Sequence, residues 1–342
     1  MREAAGRADA AASIDLMKKV SYPQLESALL VFLNKFYDLE ISKSIAEVIL
    51  WAERHNKEGQ GLLKLVGTEP LQNIKAAGPL SVIERTPVSA VINGNKQPSF
   101  FVAQRAVNIA IEKGKSHGFA LVGANNIFSS VGALGFYAER MAAENLIGFI
   151  MARSPGSTAP FNLRVPAFGT NPFAAGFPAD PPIVFDMATS AITWYELVLA
   201  KMRKQEIHLG VAIDEKGEIT TDPSKVMNGG AILPFDKSYK GSSLSLMVEL
   251  MSGPLVGSSY CDFKTFDKDW GVFILCFNPN LLIDTEEFKK SATDLYNTLR
   301  QQKTLTGNPV RLPEDSGRAF EQKIFKEKFI DIENEIAKLL AL

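Results

Sequence analysis

Phe168-Gly169-Thr170-Asn171-Pro172, followed by Phe185-Asp186-Met187-Ala188-Thr189-Ser190, are the stretches whose reading decides the fold. A Gly-Thr-Asn-Pro turn leads to a short apolar strand at 182–185, and then to an acid that opens a run of small residues. This pattern predicts a corner where backbone amides and short hydroxyls come within reach of a phosphate or a ribose. The competing reading is an ordinary loop–strand–helix connection. Asp186 is correspondingly either a helix N-cap or a site carboxylate.

Working outward, periodicity predicts a helix over 22–36, with Leu25, Leu29, Leu30, Phe32 and Leu33 on one face, and a second over 42–55 capped by Ser42. Gly59-Gln60-Gly61 interrupts before a short apolar run at 62–66. Strand-like pieces at 80–83 and 88–92 precede an amphipathic helix over 100–115. Strands at 118–123 and 146–152 flank a helix at 135–145, and this alternation places the middle of the chain in the α/β class. An apolar helix over 243–251, a Phe-rich strand at 270–277 and charged helices at 286–301 and 315–340 complete the chain. No G-x-G-x-x-G follows a strand, so a Rossmann site has no support.

A chain of 342 residues is long enough for two domains. Its 37 basic and 38 acidic residues nearly cancel, so no basic face and no nucleic-acid partner are expected. Cys261 and Cys276 show no metal-binding spacing and read as free thiols of a reducing, cytoplasmic compartment. Three histidines argue against a His-rich metal site, and no window is apolar enough for a membrane helix. The Ala-rich start, with both charge signs and no apolar core of a signal peptide, reads as an unstructured lead over 1–19. A hydrolase has neither a G-x-S-x-G elbow nor a clustered His/Cys/Asp set.

The GTNP turn, the Asp-Met-Ala-Thr-Ser run, Thr220-Thr221-Asp222-Pro223 and Lys240-Gly241 together resemble the malate/L-lactate dehydrogenase family typified by ureidoglycolate and sulfolactate dehydrogenases. The resemblance runs from about residue 20 to the end. It implies a non-Rossmann, sulfolactate-dehydrogenase-like fold. A mixed-sheet nucleotide domain at 76–250 would stand beside a helical domain built from 20–75 and 251–342, the latter carrying substrate and dimer contacts. It also implies a homodimer that uses NAD or NADP on a small-molecule substrate. The residues it assigns to the cofactor are Ser154, Gly169, Thr170, Asn171, Pro172, Asp186, Met187, Ala188, Thr189, Lys240, Gly241 and Glu314, the last within Pro313-Glu314-Asp315. Asp186 would also help hold the catalytic base.

The chain departs from that pattern where protons and carboxylates are handled. The family carries Ser-His-Gly with an Arg four residues after the His; here the stretch reads Gly59-Gln60-Gly61-Leu62-Leu63-Lys64, so Gln60 and Lys64 take those places. A second family His falls on Ser129 or Ser130, and a family Gly-Lys falls on Tyr195-Glu196. The literal Ser116-His117-Gly118 ends a helix and reads as a histidine favoured by the helix dipole. His55 aligns with an ordinary polar position, and His208 with a loop. Glutamine cannot deliver a proton near neutral pH, and losing a general acid costs about 10²–10⁴ in rate. Lysine also forfeits the bidentate grip of arginine on a carboxylate.

Two functions follow as expectations. One is an oxidoreductase acting on a 2-oxo, 2-hydroxy or cyclic imino acid. An iminium is favoured because it accepts hydride without further acid, with Gln60, Lys64, Asp186 and Ser129 or Ser130 placed around the substrate. The other is a catalytically silent nucleotide-binding homologue.

Overall fold

The computed structural model describes residues 17–261 and 269–342. Its first element, β1 (Met17–Ser21), takes residues 17–19 out of the expected lead; the remainder of that lead lies outside the described residues. α1 (Tyr22–Leu33) has Pro23 in its first turn and buries Leu25, Leu29, Phe32 and Leu33. Each such side chain contributes about 1.5–3 kcal/mol. α2 (Leu39–Arg54) is capped by Asp38, whose carboxylate accepts the Ile41 N–H at 2.9 Å. Ser42, expected as the cap, lies inside the first turn, fully buried, with its hydroxyl donating to Tyr37 O. Short 3₁₀ turns carry residues 58–65.

β2 (Ser81–Thr86) and β3 (Ser89–Asn93) form a hairpin, and α3 (Ser99–His117) carries the chain over to β4 (Phe119–Ile127), parallel to β3. Gly118, at φ +79°, ends α3 immediately after His117, in keeping with the reading of that histidine as a helix terminus. α4 (Leu134–Ala143) and β5 (Ile147–Arg153) follow, then β6 (Phe173–Phe177), reached through the GTNP turn, and β7 (Ile183–Met187). Asp186 is therefore a strand residue and not a helix cap.

α5 (Trp194–Met202) opens on a capping box between Thr193 and Glu196. β8 (Ala212–Ile213), α6 (Pro223–Met227) and β9 (Ala231–Ile232) make a small satellite, and α7 (Tyr239–Ser252) leads back to the sheet. β10 (Trp270–Phe277), α8 (Thr285–Arg300), α9 (Asp315–Glu327), β11 (Phe329–Glu333) and α10 (Asn334–Leu339) end the chain. The charged stretch expected as one helix over 315–340 is thus divided by β11, which pairs with β1.

The main sheet has seven strands in the order β2-β3-β4-β10-β5-β6-β7, antiparallel except for β3 with β4. The α/β class with a mixed sheet is as the sequence led one to expect. β10, read from the sequence as part of the segment 251–342 that joins the chain start, is inserted between β4 and β5. Its Val272, Ile274 and Cys276 are fully buried, so this strand is the middle of the core.

Candidate functional site

The GTNP corner is held from behind by a buried polar cluster. Asn171, fully buried and at φ +39°, donates its amide to Ser245 O (3.1 Å) and to Glu249 Oε2 (2.8 Å), both on α7. Glu249 Oε1 accepts the Cys261 N–H at 3.0 Å and lies 3.3 Å from Arg153 Nε. Arg153 Nη1 donates to Asp269 O at 2.7 Å. Thr189 is also buried, and its hydroxyl reaches Thr170 O (3.1 Å) and Asn171 O (3.0 Å). Asn171 and Thr189 therefore shape the turn from within.

On its other side the corner packs closely against Ser154. A Cβ on Gly169 would fall 2.2 Å from Ser154 Oγ and 2.5 Å from Ser154 O, so only glycine lets these two segments meet. Ser157 Oγ, Thr158 Oγ1 and Ser245 Oγ are buried hydroxyls without a hydrogen-bond partner. Ser157 and Thr158 both donate their backbone N–H to Phe168 O, which puts them against the same turn. Buried hydroxyls of this kind are exceptions to the usual pairing of interior polar groups. Lys240 and Gly241 lie in the first turn of α7; Lys240 is exposed, while the Gly241 N–H is taken by Asp236 Oδ1 at 3.1 Å.

A cavity of about 470 Å³ opens where the end of α2, strand β7 and residues 311–317 meet; His55, Lys57, Asp186, Met187, Arg311 and Glu314 line it. The volume is within the ordinary range for small-molecule sites. Burial pushes the Asp186 carboxyl above its ordinary 3.8, and Glu314 adds to the shift; Lys57 and the Gly135 N–H at the start of α4 pull the other way. Burial lowers Lys57, but Asp186 and then Glu314 more than offset it and leave the ammonium above 10.5. Lys57 Nζ sits 3.1 Å from Glu314 Oε1. The Glu314 side chain is only 5 % exposed, and its second oxygen, Oε2, has no partner. Glu314 holds φ +62° at the start of α9, a conformation costly for a residue with a side chain. His55 stacks on Trp51 (3.9 Å between ring centres), with Nδ1 2.9 Å from Trp51 O.

The sequence matches the family model for malate/L-lactate dehydrogenase over residues 20–341. The chain belongs to the malate/L-lactate dehydrogenase family. It is 30% identical over 311 residues to malate/(S)-sulfolactate dehydrogenase of Methanothermus fervidus, covering 88% of this chain and 89% of that one. It is 32% identical over 260 residues to the Δ1-pyrroline-2-carboxylate/Δ1-piperideine-2-carboxylate reductase of Pseudomonas syringae pv. tomato, covering 73% of each. The solved structure of Δ1-piperideine-2-carboxylate reductase from that organism superposes with a TM-score of 0.80 at 27% identity, over 94% of this chain and 98% of that chain.

Set against the malate/L-lactate dehydrogenase pattern, two of the three departures noted in the sequence, Gln60/Lys64 and Tyr195-Glu196, fall together in space. Lys64 is 2 % exposed, with Nζ 3.2 Å from the centre of the Tyr195 ring. Burial drives its amine well below 10.5, opposed by Glu69. Gly59, beside Gln60, packs on Tyr195 Cβ and the start of α5. Gln60 and Lys64 therefore sit against the Tyr195-Glu196 step and do not line the cavity that holds Asp186. Ser129 and Ser130 are absent from that lining as well. Ser129, buried at φ +82°, turns its hydroxyl toward Ser130 O, and Ser130 Oγ accepts the Gly132 N–H. Of the residues singled out from sequence, the cavity gathers Asp186, Met187 and Glu314, while Ser154, Gly169, Thr170, Asn171, Pro172 and Thr189 form the corner, with Ala188 between the two sets. His55, Lys57 and Arg311 are lining residues that sequence reasoning missed; His55 and Lys57 follow the end of α2 and Arg311 precedes α9, and only His55 gave any signal as an imidazole close to Gln60.

Proposed function

We propose that this malate/L-lactate dehydrogenase family member is an NAD- or NADP-dependent oxidoreductase of small carboxylate-bearing substrates: 2-oxo or 2-hydroxy acids, or cyclic imino acids. Ser154, Gly169, Thr170, Asn171, Pro172, Met187, Ala188, Thr189, Lys240 and Gly241 would hold the nucleotide. When bound, the nicotinamide supplies or takes the hydride. The names of the relatives cover both hydroxy-acid and imino-acid chemistry.

The observation that carries the reading is Asp186, a carboxyl raised by burial yet faced by Lys57 and the Gly135 N–H, in a cavity of substrate size beside the corner. Perturbed carboxyls in clefts mark functional sites. Asp186 can take up or release a proton there, a task that Gln60 cannot perform. An iminium needs no acid at the new amine, so it suits a cavity with two carboxylates better than a ketone does. A homodimer in the cytoplasm completes the proposal.

The experiment is to supply NADH and NADPH with a panel of 2-oxo acids and cyclic imino acids, and the oxidised nucleotides with 2-hydroxy acids, following reduced-nicotinamide absorbance. Turnover of any member supports the reading. Quenching of protein fluorescence by NADH without turnover of any member would favour the silent homologue instead, and no nucleotide binding would end both.

A further inference from the structure

His55 ends α2 and lines the cavity, yet only one of its ring nitrogens is engaged. Trp51 O accepts the His55 backbone N–H at 3.0 Å and lies 2.9 Å from Nδ1. A carbonyl can only accept, so Nδ1 carries a proton and a neutral ring keeps its lone pair on Nε2. Nε2 has no hydrogen-bond or ion-pair partner among the described residues, and it is not shut away as Glu314 Oε2 is. The ring is held in place around that free atom. It stacks on Trp51 with the planes 15° apart, and Trp51 Nε1 donates to Glu139 Oε2 at 2.6 Å. A Cβ on Gly317 would stand 3.1 Å from His55 Cδ2, the atom bonded to Nε2, so glycine there keeps this edge of the ring clear. On Gly135 a Cβ would meet both Trp51 Cη2 (2.8 Å) and Asp186 Oδ2 (3.2 Å), which sets the indole under His55 against the Asp186 carboxyl. The other charged groups of the lining are committed: Lys57 answers Asp186 and Glu314, and Arg311 donates to Ser316 Oγ. Capping α2 uses Nδ1 alone and gives no reason for a cavity beside Nε2.

Resting on the oxidoreductase reading above, we infer that His55 Nε2 exchanges the proton in this cavity, beside Asp186 and in place of the imidazole that Gln60 lacks. As a hydroxyl-bearing substrate is oxidised, its O–H bond breaks and the proton bonds to Nε2. The O–H electron pair closes the C=O while the hydride leaves the same carbon for the nicotinamide. In the reverse direction Nε2–H gives its proton to the alkoxide oxygen. A cyclic iminium, protonated before reduction, asks nothing of Nε2. The two substrate classes therefore depend on His55 to different extents, which a purely structural histidine would not bring about.

The chain has only three histidines, so each imidazole can be followed by itself. Long-range proton–nitrogen NMR of the histidine-labelled full chain should show His55 protonated at Nδ1. Diethyl pyrocarbonate, read out by peptide mass, should modify His55 in the folded protein, and NADH with lactate, a pair that cannot react, should slow that modification. His55→Asn keeps a donor for Trp51 O; it should lower turnover of 2-hydroxy and 2-oxo acids by about 10²–10⁴-fold and leave turnover of cyclic imino acids largely unchanged. Added imidazole should return part of the lost rate, and His117→Asn should change neither activity. The inference is overturned if the proton sits on Nε2, if the reagent spares His55 in the folded protein, or if His55→Asn lowers both substrate classes alike. Wild-type turnover of imino acids with none of hydroxy or oxo acids overturns it too, since Nε2 would then have no proton to carry. Should His55→Asn not fold, the protonation site and the reactivity of the wild-type ring decide. If no substrate is turned over, the oxidoreductase reading falls, and His55 as the free base of the cavity stands or falls on those same two measurements.

Discussion

Lys64 Nζ lies 3.2 Å from the centre of the Tyr195 ring, so the side chain standing where the family has its carboxylate-binding arginine is capped by an aromatic face. The two positions that depart from the family pattern are in contact. Tyr195 also packs against Gly67, where a Cβ would fall 2.4 Å from Tyr195 Cε1, and the ring fills the space between the 3₁₀ turns and α5.

Lys64→Met should therefore leave the protein as stable as before or raise stability by about 1–2 kcal/mol, since a buried amine is replaced by an apolar chain of similar length. The native pKa of Lys64 is depressed, so the unfolded chain binds more protons between that lowered value and about 10.5. Wild-type stability should accordingly rise with pH across that window. Urea denaturation at several alkaline pH values checks this, and the Lys64 contribution to the slope should be missing in the variant.

Asp186→Asn separates chemistry from folding. The native carboxyl is raised above 3.8, so the folded state binds the extra proton and this group's contribution to stability falls as pH rises through the window from 3.8 upward. Asparagine removes that penalty and can still accept the Gly135 N–H. Melting temperature near neutral pH should hold or increase, while turnover of any active substrate falls about 10²-fold or more. Paired thermal melts and steady-state rates measure the two effects.

Glu249→Ala should be among the most damaging single changes in the chain, at about 3–5 kcal/mol. It strips buried Arg153 of its paired carboxylate and Asn171 of an acceptor. Glu249→Gln keeps the shape and should cost less. Chemical denaturation of both variants gives the comparison.

Gly169→Ala should weaken nucleotide binding and destabilise by about 1–3 kcal/mol through overpacking. Because the new methyl would meet Ser154 O at 2.5 Å as well as Ser154 Oγ, adding Ser154→Gly should not restore the wild-type melt. Differential scanning fluorimetry of the single and double variants decides it.

Much of the architecture was legible in the chain because local pattern and burial agree. The strands at 119–127, 147–153 and 270–277 carry continuous apolar runs, and the helix at 99–117 has one apolar face. β6 was missed because Phe173-Ala174-Ala175-Gly176-Phe177 is short and made of small residues; it is a strand because β5 and β7 pair with it on either side. β11 was read as helix for the same reason, since only pairing with β1 makes Phe329–Glu333 extended. Ser42 lost the cap to Asp38, an equally good capping side chain four residues earlier. At the candidate site, motif spacing found the corner and Asp186. It could not show that Tyr195 covers Lys64, nor that Arg311 and Lys57 meet Asp186 from segments more than 120 residues away on either side.

β10 is held between β4 and β5 by an antiparallel ladder on each edge. During synthesis, every other strand of the main sheet leaves the ribosome before residues 270–277 exist. Until they arrive, the nascent chain displays two facing apolar edges with nothing between them, a template for mispairing. A strand from the last-made part of the polypeptide is thus the keystone of a sheet whose other six strands precede it, and premature termination before residue 270 should yield material for chaperones and proteases instead of a smaller working domain.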